Sequence, residues 1–385
     1  MRTKIIVSAA ALLLACSLIS CTSGNLFPGS SSSFPTIPKF LIAVDGSGVG
    51  TNVNVFPINP TTGALGAAVS GSPFDLGLTD GMTLAVHPNG HFVYAADGAD
   101  GSIHAWNVSE TTGVPAEIAA KVINASGTFY EPSGTGDSPT HVITITPSGK
   151  FLYSANNNAT VGAYTINSNG SLTHISDLAL GACFTGAITA NDSFAWVTDT
   201  CASTGPWNVF TMKIGSTGAL TKVSSVALTG VFSWLWSIQV NPVANFLYVG
   251  DEGGAAQLYS FSIAADGSLT QLGPQLVETN SSDCRDIAHS PDGKFFYTTD
   301  DAGVVHALSV NTTTGALTEL SASPYTTGGA GQVVADVTGM FVYLGDQGYT
   351  GKVIGFTRDM TTGALTLIGN TTTANGKALA VGIVR

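Results

Sequence analysis

Phe295-Phe296-Tyr297-Thr298-Thr299-Asp300 is one copy of a phrase that this chain writes seven times. Each copy has a Phe, an aromatic residue or Ile two positions on, and an Asp or Asn three beyond that. The copies begin at Phe40, Phe92, Phe151, Phe194, Phe246, Phe295 and Phe341, and they end at Asp45, Asp97, Asn156, Asp199, Asp251, Asp300 and Asp346. Self-similarity at roughly 50 residues marks an array of one supersecondary unit, because each unit buries its faces only against its neighbours.

Two further phrases repeat in step. Thr62-Gly63-Ala64-Leu65 recurs as Gly170-Ser171-Leu172, Gly218-Ala219-Leu220, Gly267-Ser268-Leu269, Gly315-Ala316-Leu317 and Gly363-Ala364-Leu365, with Gly113-Val114-Pro115 as a divergent copy. A Gly at one fixed place suits a tight hairpin turn that needs positive φ. A Pro-x-Gly turn precedes the Phe, as in Pro88-Asn89-Gly90, Pro147-Ser148-Gly149 and Pro291-Asp292-Gly293. Between the turns one unit reads as four strands: inner 286–290, second 295–299, third 304–310 and a weaker outer strand 317–321. Four antiparallel strands in each of seven repeats predict an all-β fold, a seven-bladed β-propeller. The chain starts on a second strand (40–44) and ends on an inner strand (377–384). The ring is therefore expected to close by pairing of the N-terminal strands with the C-terminal strand.

The first residues stand apart from this array. Arg2 and Lys4 precede an apolar run at 5–19 that ends in Leu18-Ile19-Ser20-Cys21, as in a bacterial lipoprotein signal. Residues 1–20 are expected to be the leader, with lipid on Cys21; an ordinary secretory signal is the alternative. Residues 21–38, rich in Ser, Pro and Gly, cannot bury apolar area and read as a flexible tether to the domain at 39–385. The sequence carries 13 Lys and Arg against 25 Asp and Glu, a net charge of −12, and losing Arg2 and Lys4 takes it to about −14. Such an acidic chain is a poor partner for nucleic acid or for anionic lipid through basic residues. The membrane is expected to be met only through the lipid anchor, in an exported, cell-envelope protein that is a monomer.

Five cysteines are present; with Cys16 in the leader and Cys21 lipidated, Cys183, Cys201 and Cys284 remain. Cys183 precedes one predicted strand and Cys201 follows the next, so folding that hairpin predicts a Cys183–Cys201 disulfide. Three reduced, partly buried cysteines are the alternative.

The runs Ser290-Pro291-Asp292-Gly293-Lys294-Phe295-Phe296-Tyr297 and Thr313-Thr314-Gly315-Ala316-Leu317-Thr318 resemble the repeat of the lactonase-type, 6-phosphogluconolactonase-like propellers. They are also similar to the surface-layer propellers named for a Tyr-Val-Thr-Asn motif. The likeness covers 39–385 and implies the propeller fold; these motifs are blade scaffolding and specify chemistry weakly.

Strand topology puts the Pro-x-Gly and Thr-Gly-x-Leu turns on one face, hereafter the turn face. The opposite, variable face collects loops of uneven length, where binding residues on a rigid scaffold are expected. The repeated Asp or Asn belongs to that face and, with Asp100, Glu252, Asp301 and Gln347, gives it an acidic mouth. Asp97, Asp251 and Asp300 are candidate binding residues for a cation or polyol. Sevenfold repetition equally fits side chains that cap their own turns. The longest interval holds extra residues at about 124–139, including Tyr130, Glu131 and Asp137, a candidate lid. Trp234 and Trp236 start a neighbouring inner strand from the same face and offer stacking surface or core packing.

Chemistry is harder to find. The resemblance implies a catalytic role for His141, at the start of a strand, as general base on the water that attacks a lactone carbonyl; a satisfied or exposed imidazole is the alternative. Of four arginines only Arg285 reaches the variable face, where it would stabilise the oxyanion. His104 and His306 occupy matching third-strand positions, and His87 and His289 lie toward the turn face. The strand end where the resemblance implies a Glu carries Asn156-Asn157-Asn158, and an acidic mouth repels a phosphorylated lactone. No Zn, calcium, nucleotide or Ser-hydrolase motif is present, so neither metal nor cofactor is expected. The reading is a binding module for a small neutral ligand or an envelope protein or glycan. The enzyme alternative is a hydrolase of a neutral, sugar-type lactone, and the third is a purely structural envelope protein.

Overall fold

The computed structural model describes residues 37, 39–45, 51–118, 121–123, 142–181, 185–199, 207–228, 234–252, 257–273, 276–277, 284–300, 302–328, 331–346, 351–373, 378 and 380–385. They form seven antiparallel sheets arranged as the blades of a propeller. In blade 6 the inner strand is Asp286–His289, the second Phe295–Thr299 and the third Val304–Val310. The outer edge has two short pieces, Leu317–Glu319 and Tyr325–Thr326. Blades 2 and 5 have the same divided outer edge, while the other four carry one outer strand.

Blade 1 is built from both ends of the chain. Phe40–Asp45 pairs on one side with Thr51–Pro57 and on the other with Ala380–Val384, in the register Phe40↔Val384 and Ala43↔Val381. All described strands and this closing ladder lie between Phe40 and Val384, so the ring of blades closes within residues 37–385.

The core lies between blades rather than within one. Seven apolar clusters fill seven seams: Ile42, Val55, Leu84 and Trp106 between blades 1 and 2, for example, and Leu41, Phe56, Tyr343 and Val381 between blades 7 and 1. The second strands are covered on both sides, which is why they read as nearly continuous apolar runs.

The two repeated phrases turn out to be halves of one contact. The phrase-opening Phe of each blade packs against the turn Gly of the next: Phe40 on Gly113, Phe92 on Gly170, Phe246 on Gly315, and, closing the ring, Phe341 on Gly63. Every one of these turn glycines has positive φ, and a Cβ would overlap the facing ring. The aromatic residue two positions on adds a polar latch to the same turn. Tyr94 donates its hydroxyl to Gly170 O at 2.7 Å, Tyr153 to Gly218 O at 3.0 Å, and Tyr343 to Gly63 O at 2.7 Å. Trp196 uses its indole N–H on Gly267 O at 3.1 Å, and Tyr248 and Tyr297 repeat the bond on Gly315 and Gly363. Burial raises the pKa of each of these tyrosines, so the hydroxyl stays protonated and able to donate. Ile42 supplies no such donor in the first seam.

Candidate functional site

The acidic ring exists as a position but not as an open row of ligands. Asp45, Asp97, Asn156, Asp199, Asp251, Asp300 and Asp346 are all buried. Asp97 accepts from the backbone N–H of Thr79 at 2.7 Å and of Asp80 at 3.1 Å, and from Ala99 N at 3.0 Å. It thereby fixes the segment that leads into its own blade's inner strand. Asp45 accepts from Asn52 N at 2.9 Å and from the Asn54 amide at 2.7 Å; Asp300 accepts from Val304 N at 3.0 Å. These two close the loop between second and third strands. Asp251 lies 3.4 Å from the Tyr259 hydroxyl, and Asp199 takes the Asn208 amide at 3.3 Å. Carboxylates used this way hold loops rather than project oxygens into solvent. Among the described residues no group of three or more His, Cys, Asp or Glu could hold a metal ion.

Arg285 sits immediately before the inner strand of blade 6 and is 3% exposed. Its backbone N–H bonds Thr299 O at 2.8 Å, and its guanidinium lies 4.8 Å from the ring centroid of Trp236, which is fully buried in blade 5. Trp236 thus meets a cation within the protein instead of offering an open stacking face. The neighbouring Asp286 reaches into the next blade and accepts from Val333 N at 2.7 Å. Cys284 is buried, with its thiol 3.6 Å from the Ser237 hydroxyl.

Gln332 completes this end of the inner strands and was not anticipated. From blade 7 it accepts Val381 N at 3.2 Å in blade 1 and donates to Leu84 O at 3.5 Å in blade 2. It occurs once, so no repeat could have flagged it. Its amide ties together three inner strands where the ring's two chain ends meet.

The histidines sort as their register suggested. His104 and His306 each place Nε2 near the ring carboxylate of their blade, at 3.9 Å from Asp97 and 3.8 Å from Asp300. His306 also meets Glu319 at 2.8 Å through Nδ1, and burial lowers the pKa of His104. His87, toward the turn face, donates from Nε2 to Gly149 O at 2.9 Å while Nδ1 accepts from Asn89 N, an arrangement that suits the neutral ring. Burial lowers its pKa as well.

His141, Tyr130, Glu131 and Asp137 lie outside the described residues, as do Cys21, Cys183 and Cys201. The backbone of Trp234 begins the blade 5 inner strand, Trp234–Val240. The described geometry therefore brings Arg285 and Trp236 together, and holds Asp97, Asp251 and Asp300 in separate blades.

The profile of the family described as lactonase, seven-bladed β-propeller, matches residues 36–335. The chain belongs to that family. No curated protein sequence matches it. Among solved structures, the periplasmic gluconolactonase of Pseudomonas aeruginosa is 14% identical, with a TM-score of 0.71 over 91% of this chain and 99% of that one. A Bacteroides fragilis protein provisionally assigned as a 6-phosphogluconolactonase is 18% identical, with a TM-score of 0.71 over 92% of this chain and 100% of that one. A Lactobacillus plantarum protein, 18% identical, has a TM-score of 0.69 over 91% and 100% of the two chains. At such identities these neighbours establish a shared fold, and the lactonase-family propeller must be read for function from its own residues.

Proposed function

We propose that this lactonase-family propeller is an exported, lipid-anchored binding module whose variable face takes a small neutral ligand. The observation that carries the reading is the condition of Arg285, the arginine placed at that mouth among the described residues. Arg285 is buried against Trp236, and an oxyanion would have to draw it out of that contact. The carboxylates of Asp45, Asp97 and Asp300 support the same view, since they accept from backbone and amide donors within the fold. Export and anchoring rest on the leader at 1–20, Cys21 and the tether at 21–38. Calorimetric titration of residues 37–385 with neutral sugars and aldonolactones tests the reading. Saturable heat that is lost in Tyr130→Ala or Asp137→Ala, with the fold intact by circular dichroism, supports it. No heat across the panel counts against it.

Family membership favours a second reading, hydrolysis of a neutral lactone. His141 would take a proton from water as its oxygen attacks the carbonyl carbon, and Arg285 would stabilise the oxyanion. The ring C–O bond would then break and the leaving oxygen take up a proton, giving a hydroxy acid. A phosphorylated substrate would meet an acidic mouth and is disfavoured by charge.

A further inference from the structure

The two faces of the ring differ in polarity as well as in loop length. Among the described residues, eight large apolar side chains are exposed, and all but Val223 and Leu367, which lie on outer strands, are on or beside the turn face. Four of them form an arc over blades 5 to 7: Val243, Val337, Met340 and Met360. Val243 lies beside Gly293 of the next blade, Pro291 borders Gly339 of the one after, and Arg358 reaches the Met360 sulfur at 3.0 Å. The arc continues to the propeller axis, where Val337 joins Leu84, Val86, Val381 and Ile383, with His87 and Arg385 among them, around an open pocket of about 190 Å³.

Charge along this arc is nearly balanced, unlike the acidic opposite mouth. Asp292 pairs with Arg358 at 3.5 Å, while Asp336 and Asp359 are occupied in capping their own turns. Lys294 stands on the same arc. The chain also enters the domain on this side. Lys39 N–H bonds Val384 O at 2.9 Å at the turn-face end of blade 1, so the described part of the domain begins at this face.

We propose that the turn face over blades 5 to 7 is a membrane-contacting surface, with Val243, Val337, Met340 and Met360 seated at the interface of a lipid bilayer. The lipid on Cys21 supplies the attachment, and an interfacial contact of the domain adds a second that fixes its orientation at the membrane. The contact also turns the variable face away from the membrane, toward ligands in solution. The anchored reading supplies the occasion for this contact but not its chemistry, and the two can fail separately.

The test holds residues 37–385 on phosphatidylcholine vesicles through an N-terminal polyhistidine tag and a nickel-chelating lipid, so native lipidation plays no part. Hydrogen peroxide is applied to the tethered and free protein, and sulfoxide formation is followed by peptide mass mapping. Oxidation of exposed methionine follows solvent access. Met340 and Met360 are expected to oxidise at least about threefold more slowly when tethered, while buried Met212 stays slow in both states. Equal rates in the two states would overturn the proposal and leave the arc to a protein partner. Membrane release of the full chain by Cys21→Ser tests the anchor alone.

Discussion

Gly170→Ala, set beside Gly328→Ala, isolates what the seam between blades contributes. Both glycines have φ of +85°, so alanine carries the same left-handed penalty at each, about 1–2 kcal/mol. Gly328 has nothing within 4 Å of a new Cβ, whereas at Gly170 that atom would stand 2.5 Å from Ile118 Cδ1 and 2.9 Å from two ring carbons of Phe92. Carbon pairs prefer roughly 3.5–4.0 Å, so the ring must retreat by roughly 0.6–1.1 Å in a filled seam. Overpacking of that kind costs about 1–3 kcal/mol. The Tyr94 bond to Gly170 O at 2.7 Å is strained by the same movement, a further loss of about 1 kcal/mol. Gly170→Ala should therefore destabilise by about 3–6 kcal/mol and Gly328→Ala by about 1–2 kcal/mol. With an unfolding entropy of about 2.1 cal/mol/K per residue over roughly 350 residues, 1 kcal/mol shifts the melting temperature by about 1.4 °C. Calorimetry should then show losses of about 4–8 °C and about 1–3 °C respectively. Adding Phe92→Leu to Gly170→Ala should cost less than Phe92→Leu alone, because one of the two clash partners is gone and only Ile118 remains. Equal shifts for the two alanines would refute the seam as the contact that gives the repeated Phe and Gly their meaning.

His289 gives a pH dependence with a definite sign. It packs between Tyr248 and Phe296, and burial lowers its pKa from 6.5 to about 3, with the Phe295 backbone opposing the shift. In that interval the unfolded chain holds a proton that the folded chain refuses, so stability should fall as pH drops from about 6.5, by up to about 1.4 kcal/mol per unit. Urea titrations of His289→Val should show a flatter pH profile; an unchanged slope would remove His289 as the cause. Non-reducing peptide mapping should recover Cys183 joined to Cys201, with buried Cys284 alkylated only after unfolding; labelling of all three in the native state would refute the pairing. Mass analysis of the mature chain should place acyl groups on Cys21, and an unmodified N-terminus elsewhere would leave the leader as an ordinary secretory signal.

The architecture was legible because its determinants repeat. Second strands such as Phe151–Asn156 are covered on both sides and stand out as apolar runs, and turn glycines recur wherever φ must be positive. What the sequence hid was that the two phrases meet. Phe92 and Gly170 belong to different units, and their contact depends on the angle between neighbouring blades. The broken outer edges of blades 2, 5 and 6 escaped for another reason. Leu269–Gln271 and Leu276–Val277 are too short to show alternation. At the mouth, the rarity of arginine singled out Arg285, but its burial on Trp236 is set by the adjoining blade. The ring carboxylates suggested either ligands or local caps. Asp97 does cap Ala99 two positions on, and it also bonds Thr79 and Asp80, eighteen and seventeen positions earlier, beyond any local turn rule.

Proton release by residues 37–385 against a panel of neutral and phosphorylated lactones, with His141→Ala alongside, bears most directly on whether this propeller binds or catalyses. The binding account predicts traces no steeper than buffer for every lactone, with wild type and variant alike. Turnover of a neutral lactone that vanishes in His141→Ala would contradict it and make the protein a working lactonase.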